Sequence, residues 1–303
     1  MNVRHTSSVL LRKVVPVAFS LLIFASASVL SQTPPLTKPN AGVPAEQVIS
    51  ELREAVKLLQ MGKSTEAEQI LRRVISTNPQ NPDAHNLLGV ILDQKGQFTD
   101  AEREYREALR LNPNLISPLA NLGVLLARTQ RPGEAIEAFE AVLKKAPDHP
   151  QATINLGIQY LARKDYTRAV TLLDHAHQLG LKSYQVEYNL GLALYNLSRF
   201  DEALTAFESA SSLSPKSAEP LYYLGLIYWG RNQEEMAVDF WDRAVTLRQN
   251  FPEANFMLGE SLRKTRRTEP SLEFYQRALD QDPTKLVYYA RLGGAHLLLR
   301  QYD

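Results

Sequence analysis

Residues 218–251 read AEPLYYLGLIYWGRNQEEMAVDFWDRAVTLRQNF, and this stretch decides the fold. Leu221, Leu224, Gly225 and Tyr228 fall at i, i+3, i+4 and i+7, the spacing of a helix with one buried face. Polar residues from Asn232 to Glu234 then break the pattern. Beyond them, Ala237, Trp241, Ala244 and Val245 share a second helical face. The stretch therefore predicts two helices joined by a tight polar turn.

Moving outward in steps of 34 residues reproduces this pattern without a gap. Glycine recurs at Gly89, Gly123, Gly157, Gly191, Gly225, Gly259 and Gly293, each preceded by a leucine, from Leu88 to Leu292. Small residues recur at Ala67, Ala101, Ala135, Ala169, Ala203, Ala237 and Ser271. Four residues after each comes a large apolar one: Leu71, Tyr105, Phe139, Leu173, Phe207, Trp241 and Tyr275. Several units end in proline, at Pro79, Pro113, Pro147, Pro215 and Pro283, where a helix cannot easily continue. Pro118, Pro220 and Pro270 stand at predicted helix starts, where a missing N–H costs little. No useful length alternates with period two, so no strands are expected. A glycine inside a helix costs about 1 kcal/mol relative to alanine. Its recurrence implies a gain elsewhere, and the expectation is close approach of the paired helix, glycine against the small residue of the second helix.

The order Leu-Gly-x-x-Tyr, then Ala-x-x-x-aromatic, then Pro resembles the tetratricopeptide-repeat family. Leu224, Gly225, Tyr228, Ala237 and Trp241 show it most fully. Ankyrin, HEAT and armadillo units have other periods. The resemblance runs from Val48 to Asp303. It implies an all-α fold: a right-handed superhelix, or α-solenoid, of antiparallel helix pairs. It further implies a concave groove lined by first helices that binds peptides or proteins. Departures are few. The first unit has Glu51 and Glu54 for leucines and Ala55 for glycine, which reads as a polar cap. The fourth unit ends in Gly180-Leu181 instead of proline. The seventh has Ser271 after Pro270.

By that resemblance, the groove face of each first helix runs through the second, fifth, sixth, ninth, twelfth and thirteenth positions of the unit. The sixth is asparagine three times running, at Asn121, Asn155 and Asn189. This is similar to the asparagine ladder that holds peptide backbone in O-linked N-acetylglucosamine transferases, and a primary amide both donates and accepts. The alternative is that these amides satisfy neighbouring helix backbones. The ladder gives way to Tyr223, Met257 and Arg291. Groove positions then turn aromatic, at Tyr188, Tyr195, Tyr222, Trp229 and Phe256. The repeat consensus already fills the core, so these rings are expected to be exposed anchors. Packing between helices along the superhelix is the competing reading.

Composition excludes other classes. Of 303 residues, 34 are basic and 33 acidic; a nucleic-acid binder would be strongly basic, so no nucleic-acid partner is expected. Cysteine is absent, which removes disulfides, thiolate zinc sites and cysteine nucleophiles. No phosphate loop, G-x-S-x-G elbow or H-E-x-x-H helix occurs, so no catalytic residue, metal or cofactor is assigned. His175 and His177 are two apart on a helix and project in different directions, and His296 reads as a packing residue. Arg263, Lys264, Arg266 and Arg267 read as charges complementing a helix end. Asn196-Leu197-Ser198 is a lone glycosylation sequon.

Met1 to Lys13 carries three positive charges and no acid, Val14 to Phe24 is almost wholly apolar, and small residues follow. Residues 1–31 therefore read as a secretory signal, cleaved after Ala27 or, second, after Ser31. An uncleaved anchor, the one route to a membrane, is the alternative. Cleavage leaves 31 basic against 33 acidic residues, a formal charge of −2. Residues 32–46, with four prolines between Gln32 and Pro44, read as a flexible tether, and 47–303 as the repeat array. The eighth first helix lacks a second, so Leu292, Gly293 and His296 are expected to lie uncovered and the reading frame to continue past Asp303. The expected function is an exported (periplasmic or extracellular), non-catalytic scaffold for a protein or peptide. Alternatives are the repeat portion of a larger glycosyltransferase or a structural part of a pilus or polysaccharide-export assembly.

Overall fold

Fifteen helices alternate with short turns across residues 45–299, the residues that the computed structural model describes. In chain order they are α1 (Ala45–Gln60), α2 (Ser64–Thr77), α3 (Pro82–Gln94), α4 (Phe98–Leu111), α5 (Ile116–Arg128), α6 (Pro132–Lys145), α7 (Pro150–Ala162) and α8 (Tyr166–Gln178). After Gly180 come α9 (Tyr184–Asn196), α10 (Phe200–Leu213), α11 (Glu219–Gly230), α12 (Glu234–Leu247), α13 (Pro252–Lys264), α14 (Thr268–Gln281) and α15 (Leu286–Leu298). No strand occurs among the described residues, and no described helix is long and apolar enough to cross a membrane. The segments expected to be a signal and, nearly all of it, a tether lie outside the described residues.

Odd-numbered helices are the first helices of their units and even-numbered ones the second. The chain divides into two compact units at Gly180, each a stack of such pairs. Within each unit, every first helix packs on its own second helix, and that one packs on the next first helix.

One turn builds every pair. The residue fifteen places into each unit is left-handed: Gly62, Gly96, Gln130, Lys164, Ser198, Asn232 and Arg266 all have φ between +58° and +75°. The following N–H reaches back to the carbonyl five residues before it, as in Gln97 to Leu92 and Asp165 to Tyr160, both at 2.9 Å. This is a Schellman closure, which consumes carbonyls that the ending helix would leave unpaired. Only the first two copies use glycine. At the other helix ends, Asn81, Asp165 and Ser183 cap by accepting backbone N–H groups through their side chains.

The recurrent small and large residues form the core. Ala67 through Ala237, Ser271 and the side chains from Leu71 to Tyr275 are almost completely buried. Ser271 satisfies its hydroxyl by donating to the Thr268 carbonyl at 2.6 Å. The recurrent glycines are explained differently from the expectation of small against small. A Cβ at Gly89, Gly123, Gly191, Gly225 or Gly259 would meet the ring sixteen residues later at 2.3–2.7 Å, and at Gly157 it would meet Leu173 Cγ at 2.9 Å. Each glycine thus makes room for the large side chain of the second helix, not for its alanine. A Cβ at Gly293 would meet nothing within 4 Å among the described residues.

Candidate functional site

The predicted residues fall on both sides of Gly180, so the two units are taken in turn. In residues 45–180, Asn121 on α5 donates through Nδ2 to Asn86 Oδ1 on α3 at 3.1 Å. Two turns further on, Arg128 Nη1 pairs with Asp93 Oδ1 at 2.6 Å. Burial pushes the Asp93 carboxyl above its usual range, although the Arg128 charge pulls the other way. Asn155, on α7, is 3% exposed, and its Nδ2 has no partner among the described residues. In residues 181–299, Asn189 donates to the Gln185 carbonyl of its own helix at 2.7 Å. A ladder of free amides is therefore not what these residues form. Two of the three are engaged within the protein, Asn121 with a side chain and Asn189 with its own helix, and neither with the backbone of a neighbouring helix.

The aromatic positions are brought together, but not as uniformly exposed anchors. Tyr222 is 1% exposed and Phe256 7% exposed, so both belong to the core. The physical reason is that rings from later in the chain pack against both of them. Tyr222 lies 5.2 Å from the Phe251 ring. Phe256 sits between Tyr275 and Tyr288, at 5.9 and 5.0 Å. Tyr223 stacks on Phe207 at 5.0 Å and forms the centre of the cluster. Tyr188, Tyr195 and Trp229 remain partly exposed. Tyr188 stacks on Tyr184 at 5.5 Å, and Tyr195 meets Tyr223 edge-on at 5.4 Å. Trp229 packs on Trp241 at 5.7 Å and holds the Lys264 ammonium 4.4 Å over its ring. The hydroxyls of Tyr195 and Tyr222 have no partner among the described residues. Burial raises both of their pKa values.

Two arrangements went unread in the sequence. His85 sits between two acceptors, Glu104 Oε2 at 2.7 Å from Nδ1 and the Pro79 carbonyl at 3.0 Å from Nε2. Burial opposes its charge, but these acceptors outweigh it and raise its pKa, while Glu104 is held below the usual carboxylate range chiefly by the hydrogen bond from His85. The second is Glu260, where earlier units carry valine, isoleucine or leucine. It is buried, yet accepts from Tyr275 Oη at 2.6 Å and from Arg263 Nη2 at 3.2 Å. Arg291 Nε lies 2.9 Å from its Oε1 as an ion pair, off the line that a hydrogen bond needs. Arg263 thus faces a carboxylate, besides standing near a helix end. The clue available in the sequence was a charged residue at an otherwise aliphatic position.

Family models match four stretches of the chain. Residues 50–154 match the C-terminal ARM domain of tetratricopeptide repeat protein 21. Residues 128–210 match subunit 3 of the anaphase-promoting complex, or cyclosome. Two repeat models match at 191–232 and 252–285. The chain is a tetratricopeptide-repeat protein. Among solved structures, this repeat protein is similar to the C-terminal part of a repeat protein from Cytophaga hutchinsonii, with a TM-score of 0.62 at 14% identity over 80% of this chain and 99% of that one. It is similar also to YrrB, described as having an unusual peptide-binding site (TM-score 0.57, 21% identity, 61% and 95% covered). MamA from Desulfovibrio magneticus gives 0.52 and 23%, with 55% and 95% covered. At these identities the likeness is one of fold. No curated protein matches the sequence.

Proposed function

We propose that this repeat protein is an exported, non-catalytic adaptor that holds a protein or extended peptide on the first-helix face of residues 181–299. The observation that carries the reading is the contrast among the aromatics. Tyr188, Tyr195 and Trp229 stay partly exposed, while Tyr222, Tyr223 and Trp241 lie buried beside them and fix their orientation. Rings held this way lose little freedom when a ligand covers them, which is what makes aromatic anchors effective. The peptide-binding site for which YrrB is described supports the same reading.

A peptide selected on the chain from a random dodecapeptide library tests this. The double variant Tyr195→Ala, Trp229→Leu should lose affinity by about 30-fold or more, with helical circular dichroism retained. Unchanged affinity would place recognition elsewhere. Export rests on the order of residues 1–31, and mass spectrometry of the protein from its host should find a new N-terminus between Ser28 and Gln32. Intact Met1 in a soluble fraction would refute it.

A further inference from the structure

Far from the aromatic face, both ring nitrogens of one buried histidine face acceptors. His85 is 7% exposed and stands in the first turn of α3. Its Nδ1 lies 2.7 Å from Glu104 Oε2 on α4, and its Nε2 lies 3.0 Å from the carbonyl oxygen of Pro79, in the turn between α2 and α3. A neutral imidazole has one N–H and one lone pair, so it satisfies one of two acceptors; an imidazolium donates to both. The geometry therefore fits the charged ring. Burial by itself favours the neutral form, but the two acceptors, with Glu107 further off, reverse this and raise the pKa. From α4 the ring faces Glu104 and Glu107, with Arg103 on the other oxygen of Glu104 at 3.2 Å and Arg110 on Glu107. On α3, Asp83 stands two residues before it. The last turn of α2, the turn itself and residues 112–127 carry no ionisable side chain. That turn also holds two unpaired donors. Asn78 and Asn81 are 6% and 2% exposed, yet the Nδ2 of each has no partner among the described residues. Opening the turn would hydrate both amides, which offsets part of the bonding that is broken.

We propose that His85 is a pH-operated latch on the turn between α2 and α3. Charged, it ties that turn to α4. Neutral, it keeps its bond to Glu104 and releases Pro79, so that the turn opens and the pair α1–α2 loosens from α3. The carboxylate decides which bond survives. An ionised oxygen is the stronger acceptor, so the remaining proton stays on Nδ1 and the Nε2 lone pair is left against the Pro79 oxygen. Because the histidine pKa is raised above the ordinary 6.5, its contribution is complete below that value and is lost as pH rises through the raised one. Glu104 is held below its ordinary 4.5 chiefly by the hydrogen bond from His85, so acid leaves the latch shut until that carboxyl protonates. Among the described residues α1–α2 has a neighbouring pair on one side only. Its release therefore breaks one interface where that of an internal pair would break two.

Amide hydrogen exchange of the full chain at pH 6 and pH 9, corrected for the intrinsic rate and read by mass spectrometry, tests this. Peptides spanning Val74–His85 should lose protection by about tenfold or more between the two, as expected for one bond to a charged group. Peptides from α6 to α8 should keep theirs. Ring-nitrogen magnetic resonance should find both His85 nitrogens protonated at pH 6 and Nε2 deprotonated at pH 9. In His85→Gln, neutral at both values, protection of residues 74–85 should no longer change with pH. Glu104→Gln should lower the pH at which the turn opens, since its carboxylate no longer supports the charge. The comparison of two pH values on the parent chain needs no variant to fold. Equal protection at pH 6 and pH 9, or a neutral His85 ring at pH 6, would overturn the latch. So would a loss of protection that spreads evenly through α5 to α8, because the whole unit would then be weakening and not its first turn.

Discussion

Gly225→Ala should destabilise this protein although alanine is the better helix former. A Cβ at Gly225 would lie 2.3 Å from Trp241 Nε1, 2.6 Å from Cδ1 and 2.7 Å from Cε2. Trp241 is fully buried, and its Nε1 donates to the Tyr222 carbonyl at 3.1 Å, so the ring cannot retreat without breaking that bond. Helix propensity returns about 1 kcal/mol. Overpacking costs about 1–3 kcal/mol, and the buried indole N–H of Trp241 left unpaired costs about 1–3 kcal/mol more. The net expectation is a loss near 3 kcal/mol, from the midpoints of those ranges. Gly293→Ala is the internal control, because a Cβ there would meet nothing within 4 Å among the described residues. That variant should gain up to about 1 kcal/mol. Guanidinium unfolding followed by far-ultraviolet circular dichroism measures both. Opposite shifts are expected; a Gly225→Ala midpoint at or above the parent's would refute the account of why glycine recurs.

Two further outcomes follow from the same geometry. The His85–Glu104 pair has a raised histidine and a lowered carboxylate pKa. Its contribution should be fullest between the ordinary values of the two groups, 4.5 and 6.5, fading below as Glu104 protonates and above as His85 loses its proton. The stability gap between the parent and His85→Gln, about 1–3 kcal/mol at pH 6, should narrow by pH 9, and a constant gap would contradict the pairing. Lys164 is exposed and left-handed with φ 63°. Lys164→Gly should therefore raise the unfolding midpoint, since a side chain in that conformation costs about 1–2 kcal/mol and glycine gives back part of this in chain entropy. Destabilisation would show that the Lys164 side chain does more than tolerate its turn.

Much of the fold was legible because its signals are short in sequence. Leucine-glycine pairs, alanines and large apolar residues in fixed register require only that each helix bury one face, and a period of 34 repeats that demand unit after unit. The left-handed turns were less visible. After Gly62 and Gly96 the same conformation is carried by Gln130, Lys164, Ser198, Asn232 and Arg266, which do not announce a turn as glycine does. There, the register imposed by the packed pair overrides local preference.

By itself, the sequence determined the helix pairs, their register and the residues at their centre, because burial of one helical face is a local property of spacing. Only the tertiary structure decided which first-helix side chains remain at the surface. Tyr222 and Phe256 look like surplus aromatics in the repeat consensus, yet rings from neighbouring helices cover them. Asn121 finds its acceptor on Asn86, 35 residues away, and the buried Glu260 meets Tyr275, 15 residues on, and Arg291, 31 residues on. Exposure on this face depends on contacts made between units, and those are set by how helices stack, not by the pattern within any one of them.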